Sequence, residues 1–185
     1  MPVLTNGQQR LRLDPPPTAR EAAVLVLVYP DEQGLARLVL TERRTYDGHH
    51  SGEVSFPGGK SEPSDADSAA TALREAAEEV DLDPVAAGVE VVGTLEPVWI
   101  PVSDFRITPV VAVAARRPRL TPSPAEVARI LEPPVTSFLP DAPVRVVERD
   151  VRGWPLRYGG YEIDNLHVWG ATARILGQLG AVLGE

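Results

Sequence analysis

Residues Arg74 to Val80 read REAAEEV, an arginine and three glutamates within one short alanine-rich stretch. Such a stretch favours helix, and at 3.6 residues per turn Glu75, Glu78 and Glu79 fall at i, i+3 and i+4, inside an arc of about 100°. Ala69, Ala72, Leu73, Ala76 and Val80 form the adjacent stripe, which suits a core. One reading is a solvated acidic edge. Two features count against it. Like charges at i,i+4 cost an isolated helix a few tenths of a kcal/mol, and the only lysine of the chain, Lys60, lies well upstream. Clustered carboxylates suit Mg²⁺ or Mn²⁺, because hard cations take oxygen ligands and keep sites for water and phosphate. On that reading the mutual repulsion becomes the source of metal affinity.

The loop leading to this helix, SFPGGKSEPSD, carries the next candidates. Its GGKS at Gly58 to Ser61 imitates the end of a phosphate-cradling P-loop, but that motif needs glycine where Val54 stands. The match therefore fails, which argues against a P-loop ATPase. Two consecutive glycines, Gly58 and Gly59, still permit close backbone approach to a ligand or a metal.

The elements that must position these residues follow from pattern. AAVLVLVYP (22–30) and ARLVLTER (36–43) are β-rich runs joined by the turn signal DEQG. EVSF is a short strand entering a PGG loop. The clearest helix runs from about Asp67 to Val80, with Ser64 or Asp65 as its cap. Strands follow at VEVVGTLEPVWI and ITPVVAVAAR, the latter apolar on both faces and so central. SPAEVARIL (123–131) reads as a short helix, PVRVVERD and LRYGGYEIDNLHVW as late strands, and GATARILGQLGAVL as a closing helix. Strands interleaved with helices imply an α/β fold, a mixed sheet with helices on both sides.

Composition bounds the function. The 185 residues suffice for one domain, 1–185, with residues 1–20 as a proline-bearing lead-in. There is no long uncharged apolar run to span a membrane. The N-terminal stretch lacks a hydrophobic signal core, so a cytoplasmic location is expected. Cysteine is absent, which excludes disulfides and thiolate metal sites. A net charge of −8 argues against nucleic acid or an anionic membrane as partner and favours a cation or a small-molecule ligand.

The stretch GGKSEPSDADSAATALREAAEEVDL resembles a Nudix box: Gly, five residues, Glu, seven residues, then Arg-Glu-apolar-any-Glu-Glu-any-Gly-apolar. Arg74, Glu75, Glu78, Glu79 and Leu82 match its second half in register. Asp81 stands in place of the box glycine, Ala76 is a small version of the apolar position, and counting back from Arg74 puts the early glutamate on Ala66, between Asp65 and Asp67. Upstream, VLTERRTYDGHHSGEVSFPGG resembles the signature of coenzyme A pyrophosphatases through Leu40, Thr41, Arg43, Gly52, Val54, Phe56, Pro57, Gly58 and Gly59. Val39 and Arg44 replace a leucine and a serine, and Gly48 replaces an arginine. HVWGATARIL is similar to the end of that subfamily.

The resemblance implies a Nudix-like α/β/α sandwich around a mixed sheet. It also implies metal-dependent hydrolysis of coenzyme A to adenosine 3′,5′-bisphosphate and 4′-phosphopantetheine. Mg²⁺ or Mn²⁺ would be held by Glu75, Glu78 and Glu79, with the Gly59 carbonyl. Arg74 would bridge a helix carboxylate and hold its rotamer. Arg43, Arg44 and Lys60 would contact phosphate. The general base stays open between Glu78 and Glu126, and Glu126 has a second reading as first-turn helix charge. Phe56 and Trp99 are either adenine-stacking rings or core. His49 and His50 point to opposite faces if extended, and His167 reads as structural. Two rivals share these residues: a Nudix hydrolase of ADP-ribose or dinucleoside polyphosphates, and a non-catalytic nucleotide sensor.

Overall fold

A computed structural model describes residues 3–4, 15–44, 52–101, 103–151 and 154–184. The long strand β2 (Arg20–Pro30) organises it, because its residues alternate between two cores. Ala23, Leu25, Leu27 and Tyr29 face one cluster with Ala72, Ala76 and Val80. Val24, Val26 and Val28 face the other, with Phe56, Phe138, Ile175 and Leu176. A strand buried on both faces reads as a continuous apolar run, and AAVLVLVYP is one.

β1 (Val3–Leu4) belongs to a separate hairpin sheet with β11 (Arg145–Val151), β12 (Trp154–Ile163) and β13 (Leu166–Val168). β3 (Ala36–Leu38) pairs with β2. β4 (Leu40–Arg43) pairs instead with β5 (Val54–Ser55) and β10 (Val127–Leu131). So the expected strand over 36–43 breaks at Val39 and serves two sheets. β6 (Gly58–Lys60) lies antiparallel on β2, β9 (Phe105–Ala114) lies parallel to it, and β7 (Val89–Thr94) and β8 (Val98–Ile100) both pair with β9. The sheet is mixed and β9 is central. Helix α1 (Ser68–Val80) covers one face, α3 (Gly170–Leu183) lies over the cluster on the other, and α2 (Pro84–Ala87) is a single turn after α1. Among the described residues no helix is long and apolar enough to cross a membrane.

Three expectations are corrected. The helix over 123–131 is absent: residues 124–126 turn and Val127–Leu131 form β10, paired with Arg43 to Leu40 of β4. A nine-residue segment is too short to hold a helix alone, and a waiting sheet edge overrides its propensity. The PGG loop is strand β6, because Gly58 meets no clash where any Cβ would come 2.4 Å from the Ala23 carbonyl oxygen. The N-cap of α1 is Asp67, whose carboxylate accepts from the Ala70 N–H at 2.8 Å; Ser64 and Asp65 lie outside the helix. The turn α2 was not expected, although Asp83 caps its start and Gly88 ends it at φ 64°.

Candidate active site

The site is built where β6 passes α1. Arg74 is saturated. Its Nε and Nη2 donate to the two oxygens of Asp65 at 3.0 and 3.1 Å, and its Nη1 donates to Glu75 at 3.0 Å and Glu78 at 3.3 Å. Its Nη2 also donates to the Lys60 carbonyl at 3.1 Å. A bidentate guanidinium–carboxylate pair fixes both planes. Thr71, fully buried, donates to the same Asp65 carboxylate at 2.9 Å, and the Glu62 N–H donates to it at 2.9 Å. With the Arg74 guanidinium first among these partners, the Asp65 carboxyl is held well below the usual carboxylate range.

Glu79 sits in the opposite situation. It is 5% exposed, and its partners are the Gly58 N–H at 3.3 Å and the Arg43 guanidinium at 3.9 Å. Burial outweighs both, and with Glu126 and Glu75 adding repulsion it lifts the carboxyl to about 7. Glu75 is also pushed up, first by burial, against the pull of Arg74 and with repulsion from Glu78 and Glu126. Gly59 explains why a residue without a side chain precedes Lys60: a Cβ there would lie 2.6 Å from the Glu75 carboxyl group. Gly59 thus lets β6 lie against Glu75, while the Gly58 N–H reaches Glu79.

Glu78 is exposed, and so are Arg44, Lys60 and Glu126. The Arg44 N–H donates to the Glu126 carbonyl at 3.0 Å, which brings the late glutamate beside β4 and Arg43. Arg43, Gly58, Gly59, Lys60, Arg74, Glu75, Glu78, Glu79 and Glu126 therefore share one region. Phe56 does not. At 2% exposed it packs inside the core beneath α3, with no face free for a base to stack on, and its assignment to substrate is corrected. Trp99 is half-buried and donates to Asp104 at 3.3 Å. His167 binds Glu162 at 2.8 Å, a structural contact. His49 and His50 lie outside the described residues.

Among the described residues no three carboxylates already converge on one point. The donor set nevertheless fits a hard dication. A buried carboxylate with one weak cation at 3.9 Å, beside a second raised carboxylate, lacks the positive charge that its ionised form requires.

A model described as the NUDIX domain matches residues 19–138. The chain belongs to the Nudix family. It is 40% identical over 163 residues to "Nudix hydrolase 22, chloroplastic" of Arabidopsis thaliana, covering 85% of this chain and 53% of that protein. It is 37% identical over 166 residues to "Uncharacterized Nudix hydrolase NudL" of Enterobacter sp. (strain 638), covering 89% and 83%. This Nudix chain spans about half the length of the plant relatives it matches. Among solved structures it is similar to a Nudix hydrolase of M. smegmatis, RenU, with TM-score 0.53, 25% identity and coverage of 73% of this chain and 79% of that one. A C. elegans Ap4A hydrolase shares the fold, with TM-score 0.51, 17% identity and coverage of 62% and 80%.

The Nudix box of this chain can now be read in three dimensions. Counting forward from Gly59, six positions lead to Asp65, the residue that clamps Arg74. The box has one extra residue between that acid and the arginine, which counting back from Arg74 had hidden. Asp65 thus stands at the early acidic position of the box and meets the Arg74 guanidinium there. Asp81, in the box-glycine place, ends α1 in the left-handed conformation at φ 55° with its N–H directed to the Ala76 and Ala77 carbonyls. That conformation is the reason a glycine suits the position.

Proposed function

We propose that this protein is a metal-dependent pyrophosphohydrolase acting on coenzyme A, releasing adenosine 3′,5′-bisphosphate and 4′-phosphopantetheine. The observation that carries the reaction class is Glu79, a buried carboxylate raised to about 7 next to Glu75 and Glu126 with too little positive charge for all three. Glu75, Glu78 and Glu79, with the Gly59 carbonyl, would hold Mg²⁺ or Mn²⁺. When bound, such an ion neutralises phosphate charge and acidifies water. The agreement of Leu40, Thr41, Arg43, Gly52, Val54 and Phe56 to Gly59 with the coenzyme A pyrophosphatase signature supports the substrate.

The chain's own residues divide the remaining work. Arg43, Arg44 and Lys60 supply cations for the diphosphate. Arg74 holds Glu75 and Glu78 in place through its bonds to Asp65. Of the two candidates for general base, Glu126 is the better placed. Glu78 is already engaged by the Arg74 guanidinium at 3.3 Å, whereas the Glu126 carboxylate meets no cation among the described residues and is exposed to water. Water adds to one phosphorus of the P–O–P link while Glu126 takes its proton, and the bridging oxygen leaves with the bonding electron pair.

The test is a substrate panel in H₂¹⁸O with equal Mg²⁺: coenzyme A, acyl-coenzyme A, ADP-ribose and diadenosine tetraphosphate. Coenzyme A is expected to turn over fastest, with one ¹⁸O in a single product. Faster cleavage of ADP-ribose or the dinucleotide would replace the substrate and keep the reaction. Nucleotide binding without any turnover would make the protein a sensor.

A further inference from the structure

The segment that joins β9 to β10 is stitched first to the α2 turn and then to the end of α1. The Ala115 and Arg116 N–H groups donate to the Gly88 and Ala87 carbonyls at 3.1 and 3.2 Å, and the Arg116 guanidinium donates twice to Ala86. Leu120 packs against the core beneath α1. Thr121 N–H then donates to the Val80 carbonyl at 2.9 Å, and Ser123 N–H to the Glu79 carbonyl at 2.8 Å. The last carbonyls of a helix have no partner of their own. Here the donor to Glu79 comes from the very segment that carries Glu126.

The far side is fixed as well. Glu126 and Val127 N–H groups return to the Ser123 carbonyl at 3.2 and 2.9 Å, and Arg44 N–H holds the Glu126 carbonyl at 3.0 Å. Pro118, Pro122 and Pro124 restrict the backbone between these ties. The path from the Glu79 backbone to the Glu126 backbone thus runs through a single residue, Ser123.

We infer that this segment is a strut with Ser123 as its positioning residue, setting the separation of Glu126 from Glu79 before substrate arrives. Glu126 acts where it stands and does not swing in on a closing lid. The inference rests on the reading of Glu126 as the base, and it concerns how that base is placed.

The experiment compares Glu126→Gln, a variant with two glycines inserted between Pro124 and Ala125, and the combination of both. Each is assayed with Mg²⁺ on the panel substrate that the parent protein cleaves. Glu126→Gln is expected to lower kcat on the order of 10²-fold. The insertion should match it within about threefold, leave KM within about twofold, and add nothing in the combination, because both remove the same contribution. An insertion that keeps parental kcat overturns the strut and leaves the base assignment standing. So does an insertion whose loss multiplies with that of Glu126→Gln. If Glu126→Gln alone is silent, the base assignment fails and the strut falls with it. Where the insertion does not fold, Pro122→Gly/Pro124→Gly replaces it. That variant keeps every hydrogen-bond donor and is expected to lower kcat in the parent background and not in Glu126→Gln.

Discussion

Two clusters of carboxylates and guanidiniums flank the same strand, and they differ in charge balance. Near the far end of β2, Asp31 and Glu132 face Arg37 and Arg117. Arg37 Nε donates to Asp31 at 2.9 Å, Arg117 Nη2 donates to Glu132 at 3.0 Å, and the Tyr29 hydroxyl donates to Glu132 as well. Each acid there has a base. Around β6 and α1, Asp65, Glu75 and Glu78 converge on Arg74, Glu79 has only Arg43 at 3.9 Å, and Glu126 meets no cation among the described residues, while Lys60 and Arg44 stand exposed at the rim. The balanced cluster is complete without a ligand and ties loops together. The acidic one leaves Glu79 buried and raised, with a single guanidinium 3.9 Å away. Ion pairs alone do not mark a site; the uncompensated remainder does.

The comparison breaks most sharply on exchanging one acid in each cluster for its amide. Glu79→Gln removes a carboxylate that would hold the cation and is expected to lower turnover about 10²–10³-fold, a loss of several kcal/mol in the transition state. The metal-free protein should melt at a higher temperature, since an amide does not pay to shed a buried charge. Glu132→Gln should do the reverse, leaving kcat within about twofold while costing about 1–2 kcal/mol through its weakened bonds to Arg117 and Tyr29. Steady-state rates and metal-free melting curves of the two variants read both halves. If Glu132→Gln proves the more damaging to turnover, the comparison is wrong.

Within these clusters, Glu79 and Asp31 should answer pH with opposite sign. The folded-state carboxyl of Glu79 lies near 7, above the usual carboxylate value, so the folded protein holds its proton longer than the unfolded chain does. The associated stability is full below about 4.5 and lost as pH rises to about 7, on the order of 3 kcal/mol. Asp31 is held below its ordinary value, first by the Leu35 N–H and further by Arg37. Its contribution is present above about 4 and lost on further acidification. Metal-free denaturant titrations from pH 3 to 8 should therefore show a maximum near pH 4–5. Mg²⁺ at pH 8 should restore the loss, because it replaces the proton on the acidic cluster. A stability that climbs steadily from pH 5 to 8 without metal would remove the argument for uncompensated charge.

Asp65→Asn sharpens the division inside the acidic cluster, between the acid that clamps and the acids that bind. Asparagine keeps one acceptor and loses the paired oxygens that hold Arg74, so Glu75 and Glu78 lose their orientation. Metal affinity or kcat is expected to fall about 10–100-fold, with the fold retained because Thr71 and the Glu62 N–H keep an acceptor. Mn²⁺ titration followed by magnetic resonance separates this from Glu79→Gln, which should lose affinity outright.

How much of this was legible in the sequence depends on where the determining contacts lie. The carboxylate register on α1 is local, since it needs only 3.6 residues per turn, and the sequence pattern predicts it correctly. β2 and β9 declare themselves by runs of Val, Leu and Ile. The errors are nonlocal. Nothing within SPAEVARIL reveals that β4 waits to pair with it, and a short apolar run cannot separate strand from helix by period alone. Phe56 sits beside the site in sequence and beneath it in space, because EVSF alternates and puts Val54 and Phe56 into the core together. Asp65 was obscured by one extra residue in the box, a shift invisible until the Arg74 side chain is seen to reach it.

The smallest effect tests the point where this box departs from its family. Asp81 ends α1 with φ 55°, a conformation that costs most L-residues more than 1 kcal/mol and aspartate somewhat less. Its negative charge also lies at the C-terminal end of the helix dipole, the unfavourable end for an acid. Glycine removes both penalties while loosening the unfolded chain, so Asp81→Gly is expected to stabilise by about 0.5 kcal/mol. Turnover should stay within about twofold, since the carboxylates on α1 and the Ser123 tie to Glu79 are untouched. Equilibrium denaturation in Mg²⁺ and in its absence checks this. A gain confined to the metal-free protein would mean that the Asp81 charge is part of the same acidic excess as Glu79. A gain of equal size in both would confine its effect to the helix end.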